Sequence, residues 1–221
     1  MDQYHDVVRT LALTLGLGWA SGINLYAAMF TLGFLGGTGY VILPPGLEML
    51  TDPLVLFASG FMYMVEFFAD KAPGVDTGWD ALHTFIRIPA GAVLAAGAMS
   101  PYGGPAELAA AIVGGSLAAG THLTKAGTRV MINTSPEPFS NWAASIGEDV
   151  AVVAGLWTAL NHPMLFIMLL LLFVLLMIWL LPRLWRSIKK VFAALRRWLG
   201  GREKPEGGGS PPPGSLPPAD S

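Results

Sequence analysis

The sequence predicts an all-α integral membrane protein of about six transmembrane helices, the first of them broken, followed by a cytoplasmic basic amphipathic helix and a disordered tail. Three observations carry this. Apolar residues make up 53% of the 221 and charged ones only 13%, about half the share of a soluble domain, and mean hydropathy is +0.54. Apolar stretches of about 20 residues, the length that crosses a bilayer as a helix, alternate with Pro/Gly-rich breaks. Lys and Arg fall at every second break, as an even number of crossings with both ends inside requires. The same composition excludes a disordered chain and a basic nucleic-acid-coating protein. With no cysteine there is no disulfide, thiolate metal site or cysteine nucleophile.

The spans are read at 7–43, 54–70, 81–99, 106–124, 142–160 and 164–181. Breaks fall at Pro44-Pro45-Gly46, Pro73-Gly74, Pro101 to Pro105, Pro136 to Pro138 and Pro163. The first region exceeds one straight span. Gly16, Gly18, Ser21 and Gly22 cluster near its middle, so the reading places a break there, with 7–18 as a short in-plane or re-entrant helix. The fourth stretch is Ala/Gly-rich and weakly hydrophobic. The sixth is the most apolar, and Pro182 is expected to end it. Residues 1–182 therefore form the polytopic domain.

Beyond it, Leu184, Ile188, Val191, Leu195 and Leu199 recur at helical spacing over 183–199, with Arg186, Lys189, Lys190, Arg196 and Arg197 mostly on other faces. This pattern suits a helix lying on anionic lipid. Residues 200–221, with Gly-Gly-Gly-Ser and Pro-Pro-Pro, read as a disordered tail. The body is acidic and the tail basic, which suits a C-terminus facing anionic cytoplasmic lipid, and the alternation of basic breaks puts both termini on that side. The bilayer is the implied partner, a homo-oligomer is compatible with the composition, and nothing points to nucleic acid.

Ionisable groups inside a membrane cost at least about 2.5 kcal/mol each at the centre and read as functional by default. Here they are Glu66, Asp70, His83, Arg87, His122, Glu148 and Asp149. At 1.5 Å per residue all fall in the cytoplasmic half of their spans. Glu66 and Asp70 share a helix face, as do His83 and Arg87. Arg87 lies at nearly the depth of Glu148 and Asp149, so an ion pair between the third and fifth spans is expected. Asn24, Lys71 and Asp76 flank the same layer. Two hairpins, Asp70-Lys71-Ala72 to Trp79 and Thr124-Lys125-Ala126 to Trp142, suggest an internal repeat.

These blocks carry a resemblance. Gly22-Ile23-Asn24-Leu25-Tyr26, Glu66 through Asp76, Trp79-Asp80 with His83-Thr84, Asn133 through Pro138, and Glu148-Asp149 resemble the bacterial family called domain of unknown function 4126, over about 15–165. The resemblance implies a multi-span protein of the bacterial inner membrane and supplies no substrate. The Glu66-x-x-x-Asp70-Lys71 block is also similar to the Glu-x-Gly-Asp-Lys motif of a family of divalent-cation/proton exchangers, with a longer Glu–Asp spacing and no glycine.

The expected function is a small secondary transporter or channel for an ion or small solute, with Asn24, Glu66, Asp70, Lys71, Asp76, His83, Arg87, His122, Glu148 and Asp149 along its pathway. A proton or divalent cation is the favoured ligand, with Glu66 and Asp70 as candidate metal ligands. No organic cofactor and no catalytic residue is expected. The alternatives are a non-catalytic membrane scaffold, whose polar layer specifies helix pairing, and an enzyme acting on a lipid headgroup through His83, His122, Asp70 and Asp76.

Overall fold

The structure, a computed structural model, describes residues 2–72, 74–133 and 138–200. The expected tail, and residues 134–137 of the Asn133 to Pro138 block, lie outside them. Among the described residues all regular structure is helical: α1 Asp2–Gly37, α2 Pro53–Ala69, α3 Val75–Ala98, α4 Gly104–Ile132, α5 Pro138–Asn161 and α6 Pro163–Gly200, with 3-10 turns at Pro45–Thr51 and Ser100–Tyr102. Prolines begin α2, α5 and α6, where the missing N–H costs nothing. Asp52 caps α2 by accepting from the Leu54 amide at 2.8 Å.

α1 breaks, but not where its glycines suggested. Asn24 alone leaves helical geometry (φ −147°, ψ 98°). Its side-chain Oδ1 accepts from the Ala27 amide at 2.9 Å, the bond an N-cap makes to the third residue of a new helix. The chain then turns back. Asp6, Arg9, Thr10 and Leu13 wall one cavity together with Tyr40, Val41, Ile42 and Pro44, and Tyr40 Oη donates to Asn161 Oδ1 at 3.2 Å. A straight helix of this length would hold its ends about 50 Å apart. α1 is therefore a hairpin of two half-helices with Asn24 at its tip.

Gly18 and Gly22 serve packing instead. A Cβ at Gly22 would lie 2.5 Å from the Ala118 carbonyl oxygen, and one at Gly18 2.8 Å from Gly114 Cα. Their absence of side chain lets the first half of α1 press against α4. The rest of α1 is enclosed by its neighbours: Ala12, Leu17, Ala20, Ala28 and Leu32 are fully buried.

The other helices are long and apolar on their outer faces. By length and composition four helices are able to cross a membrane (α1, α3, α5 and α6), or up to five if the pair bent by 71° at Pro45–Thr51 and Pro53–Ala69 counts as one. This differs from the six expected. The fourth stretch falls short because its alanines, glycines and His122 leave even its most apolar part only weakly hydrophobic. The reversal of α1 also changes the topology. Asp6 to Leu13 lie at the Asn161 end, whereas Leu184 packs on Gly127 toward the other, so the bundle does not begin and end on one side. Pro182 lies inside α6 rather than ending it; the bundle comprises residues to Ile188, and Lys189 onward forms a separate unit. Arg186, Lys189 and Lys190 are exposed, while the side chains of Arg196 and Arg197 lie outside the described set.

The hairpin repeat finds no counterpart in register. Lys71 follows the C-cap of α2, whereas Lys125 lies two turns before the C-cap of α4 at Asn133.

Candidate functional site

The break in α1 opens into a layer of buried charge. Glu66 and Arg87 have no exposed side-chain surface and lie 2.5 Å apart. Arg87 also reaches Asp80 at 3.0 Å. Lys125 sits at the centre, 2.9 Å from Asp70, 3.3 Å from Glu148, 3.6 Å from Glu66 and 3.8 Å from Asp80. Arg129 grips Glu148 with two nitrogens, at 2.6 and 3.2 Å, and donates to the Asp70 carbonyl and to Asn141. Removing any one partner would strand a charge in a medium that solvates it poorly.

Both ends of the broken helix join this layer. Lys125 Nζ donates at 3.0 Å to the Ile23 carbonyl, a group at the end of the first half-helix. Asn24 Nδ2 donates to Asp149 Oδ1 at 2.9 Å, so the second half-helix begins beside a carboxylate, which its N-terminal dipole favours.

The histidines are fixed by their neighbours. Arg87 donates to His122 Nδ1 at 3.2 Å, so that nitrogen carries no proton; Nε2 then donates to Thr84 Oγ1 at 2.8 Å, and Thr84 donates to the Asp80 carbonyl. His83 Nδ1 donates to the Trp79 carbonyl at 2.9 Å, leaving Nε2 to accept from Tyr26 Oη at 3.2 Å. His83 also stacks on Trp79 with centroids 4.3 Å apart.

Seven expected residues thus meet directly in the layer or touch it through one bond: Asn24, Glu66, Asp70, Arg87, His122, Glu148 and Asp149. His83 lies beside it. Two do not join. Asp76 is clamped at the loop end, where Asn133 Nδ2 donates to both its oxygens at 2.9 Å and Gly74 and Thr77 amides donate to Oδ1. Lys71 lies over the Phe67 ring at 2.8 Å and donates to the Phe67 carbonyl; burial there pushes its ammonium down from the ordinary lysine value, while Asp149 and Asp70 pull it back up.

The pairing also differs from expectation. Arg87 answers Glu66 and Asp80, not Glu148 or Asp149, because Lys125 and Arg129 occupy the face of α4 that meets α5. Asp80, Lys125, Arg129 and Asn141 are the participants the sequence reading left at helix ends or in loops. Their signal was present in the spacing: Thr121, His122, Lys125 and Arg129 fall on one helical face, with no proline before Pro136 to stop α4. Glu66 and Asp70 each face a cation, and no group of three or more Asp, Glu or His able to hold a metal ion occurs among the described residues.

The layer is not electrically balanced. Glu66, Asp70, Asp80, Glu148 and Asp149 stand against Arg87, Lys125 and Arg129, a formal excess of two negative charges. Glu66 Oε2, Asp70 Oδ1, Asp80 Oδ2 and Asp149 Oδ2 are buried without a hydrogen-bond partner among the described residues. Buried carboxylates of this kind demand protons or cations.

A broken helix whose two ends meet a charged layer inside an apolar bundle defines a class: helical proteins with a polar centre between spans-in-waiting. The particular family is shown by its model, "Domain of unknown function (DUF4126)", which matches residues 11–183, and the chain belongs to it. No curated protein and no solved structure matches the chain.

Proposed function

We propose that this protein is a small cation- or proton-coupled secondary transporter of the bacterial inner membrane. In this reading α2 to α6 cross the bilayer, α1 enters and returns, the C-terminal basic segment faces the cytoplasm and the N-terminus lies opposite. The observation that carries it is the break at Asn24: both half-helix ends point into a layer with two more carboxylates than cations. Discontinuous helices at such layers are how secondary transporters place dipole ends and freed carbonyls against substrate and coupling ion. The excess carboxylates would take up protons or a monovalent cation as the site is loaded. A divalent metal draws no support from the geometry, since Glu66 and Asp70 are already engaged by Arg87 and Lys125.

The scaffold reading rests on one specific feature, the Arg129 clamp on Glu148, Asn141 and Asp70, which ties three helices as a structural node would. The lipid-headgroup enzyme draws no support, because Asp76 is engaged by Asn133 away from both histidines.

Electrometry on purified protein in liposomes fused to a solid-supported membrane separates the first two. Steps of pH and of monovalent cations should displace charge through the wild type, and Glu66→Gln should abolish it. A folded wild-type protein that displaces no charge for any step would leave the scaffold reading.

A further inference from the structure

Asp149 leads out of the buried layer. Its Oδ1 is held by Asn24, its Oδ2 is itself buried and has no hydrogen-bond partner, and the rest of the residue keeps 8% exposure. That residual surface opens into a groove of about 550 Å³ beside α2 and α5, lined by Tyr63, Asp149, Val150, Val153, Ala154 and Trp157. Apart from the tyrosine hydroxyl and the indole N–H, the remaining side chains lining it are hydrocarbon and aromatic ring. Lys71, whose charge Asp149 feels, is occupied by the ring and carbonyl of Phe67.

Three kinds of occupant fit differently. A lipid tail would match the apolar walls and leave the carboxylate unanswered. A small inorganic cation would answer the carboxylate, yet it would shed hydration against walls that return nothing. A cation with an apolar body answers both, since aromatic faces attract an organic cation by several tenths to about 2 kcal/mol and the carboxylate supplies the opposite charge.

We propose that this groove binds a lipophilic monovalent organic cation, its charged centre beside the Asp149 carboxylate and its apolar body against Tyr63 and Trp157. The proposal rests on the transporter reading and names its substrate class. Asp149 would then serve both substrate and layer: a cation in the groove draws on the same carboxylate that receives Asn24 at the tip of the α1 hairpin. Loading the groove is thereby linked to the break in the helix.

The test is equilibrium binding of radiolabelled tetraphenylphosphonium to the full chain in nanodiscs of zwitterionic lipid. Tetraphenylborate, nearly the same shape with opposite charge, is the control. The wild type should bind the phosphonium saturably and the borate not at all. Asp149→Asn should weaken binding at least about tenfold, the factor that 1.4 kcal/mol represents. Val153→Trp, which fills the groove and leaves every charge in place, should do the same while keeping its unfolding temperature near wild type. Absence of saturable phosphonium binding, equal binding to Asp149→Asn and wild type, or equal binding of the borate would overturn the proposal; the last two would mark the groove as a seat for lipid tails. Charge displacement on a pH step that persists without phosphonium binding would sink the substrate class alone, and loss of both would sink the transporter reading with it.

Discussion

Asn24 Nδ2 donates to Asp149 Oδ1 at 2.9 Å while Asn24 Oδ1 accepts from the Ala27 amide, so one side chain both turns α1 and fastens the turn to α5. Its substitutions should separate these roles. Asn24→Ala loses the cap and the bond to Asp149 and should destabilise the protein by about 1–3 kcal/mol. Asn24→Asp retains the cap acceptor but sets a second carboxylate against Asp149, and should be worse than alanine. Denaturant or thermal unfolding of purified protein in detergent ranks them; an aspartate variant as stable as wild type would refute the pairing.

Lys125 should be the least replaceable cation of the layer. Lys125→Met leaves Asp70 and the Ile23 carbonyl without their donor, a loss of about 3–5 kcal/mol for a broken buried pair. Adding Asp70→Asn should recover part of it, because the stranded charge is then gone. A double-mutant cycle on unfolding midpoints checks this, and strict additivity would contradict a direct pair.

Arg87 is predicted to resist lysine. Its guanidinium reaches Glu66, Asp80 and His122 at once, a fork that a single ammonium does not reproduce. Arg87→Lys should therefore lose stability nearly as Arg87→Met does. Lysine at wild-type stability would mean that charge alone, without the fork, holds α2 to α3.

How much of this the sequence disclosed differs by level. The helical, apolar character was legible because composition and Pro/Gly punctuation are local properties. So was the common level of Glu66, Arg87, Glu148 and Asp149 along their helices, since rise per residue is constant. A break in the first region was legible from its length, but its place was not. The glycines at 18 and 22 looked like breakers, whereas their small size serves contact with Gly114 and Ala118, and the break went to the residue whose side chain can cap a new helix. The partners of Arg87 were illegible because pairing depends on which helix faces meet, and that is set by the α1 hairpin. Lys125 and Arg129 were placed in a loop because a charged, Ala/Gly-rich segment lowers hydropathy, although nothing in it stops a helix.

Close packing at the hairpin gives a further test. Gly22→Leu places a side chain where even a Cβ would lie 2.5 Å from the Ala118 carbonyl oxygen, against backbone that has no room to yield. It should fail to fold or lose well over the 1–3 kcal/mol typical of overpacking. Gly78→Leu, at a position with open space around it, is the matched control; equal loss at both sites would contradict the α1–α4 contact.

In a transporter the charged layer at the broken helix is reached by water and ions rather than being a dry tie. The absence of cysteine permits a direct measurement. Ser145 and Thr121 are buried beside the layer, each with a side-chain oxygen lacking a hydrogen-bond partner, so Ser145→Cys and Thr121→Cys change little. Inside-out vesicles and intact cells carrying each variant would be treated with a membrane-impermeant thiol reagent. The native protein should be labelled, faster from the cytoplasmic side and more slowly in the presence of tetraphenylphosphonium. Native protein in which neither cysteine reacts from either side, while both react after denaturation, would contradict the transporter reading.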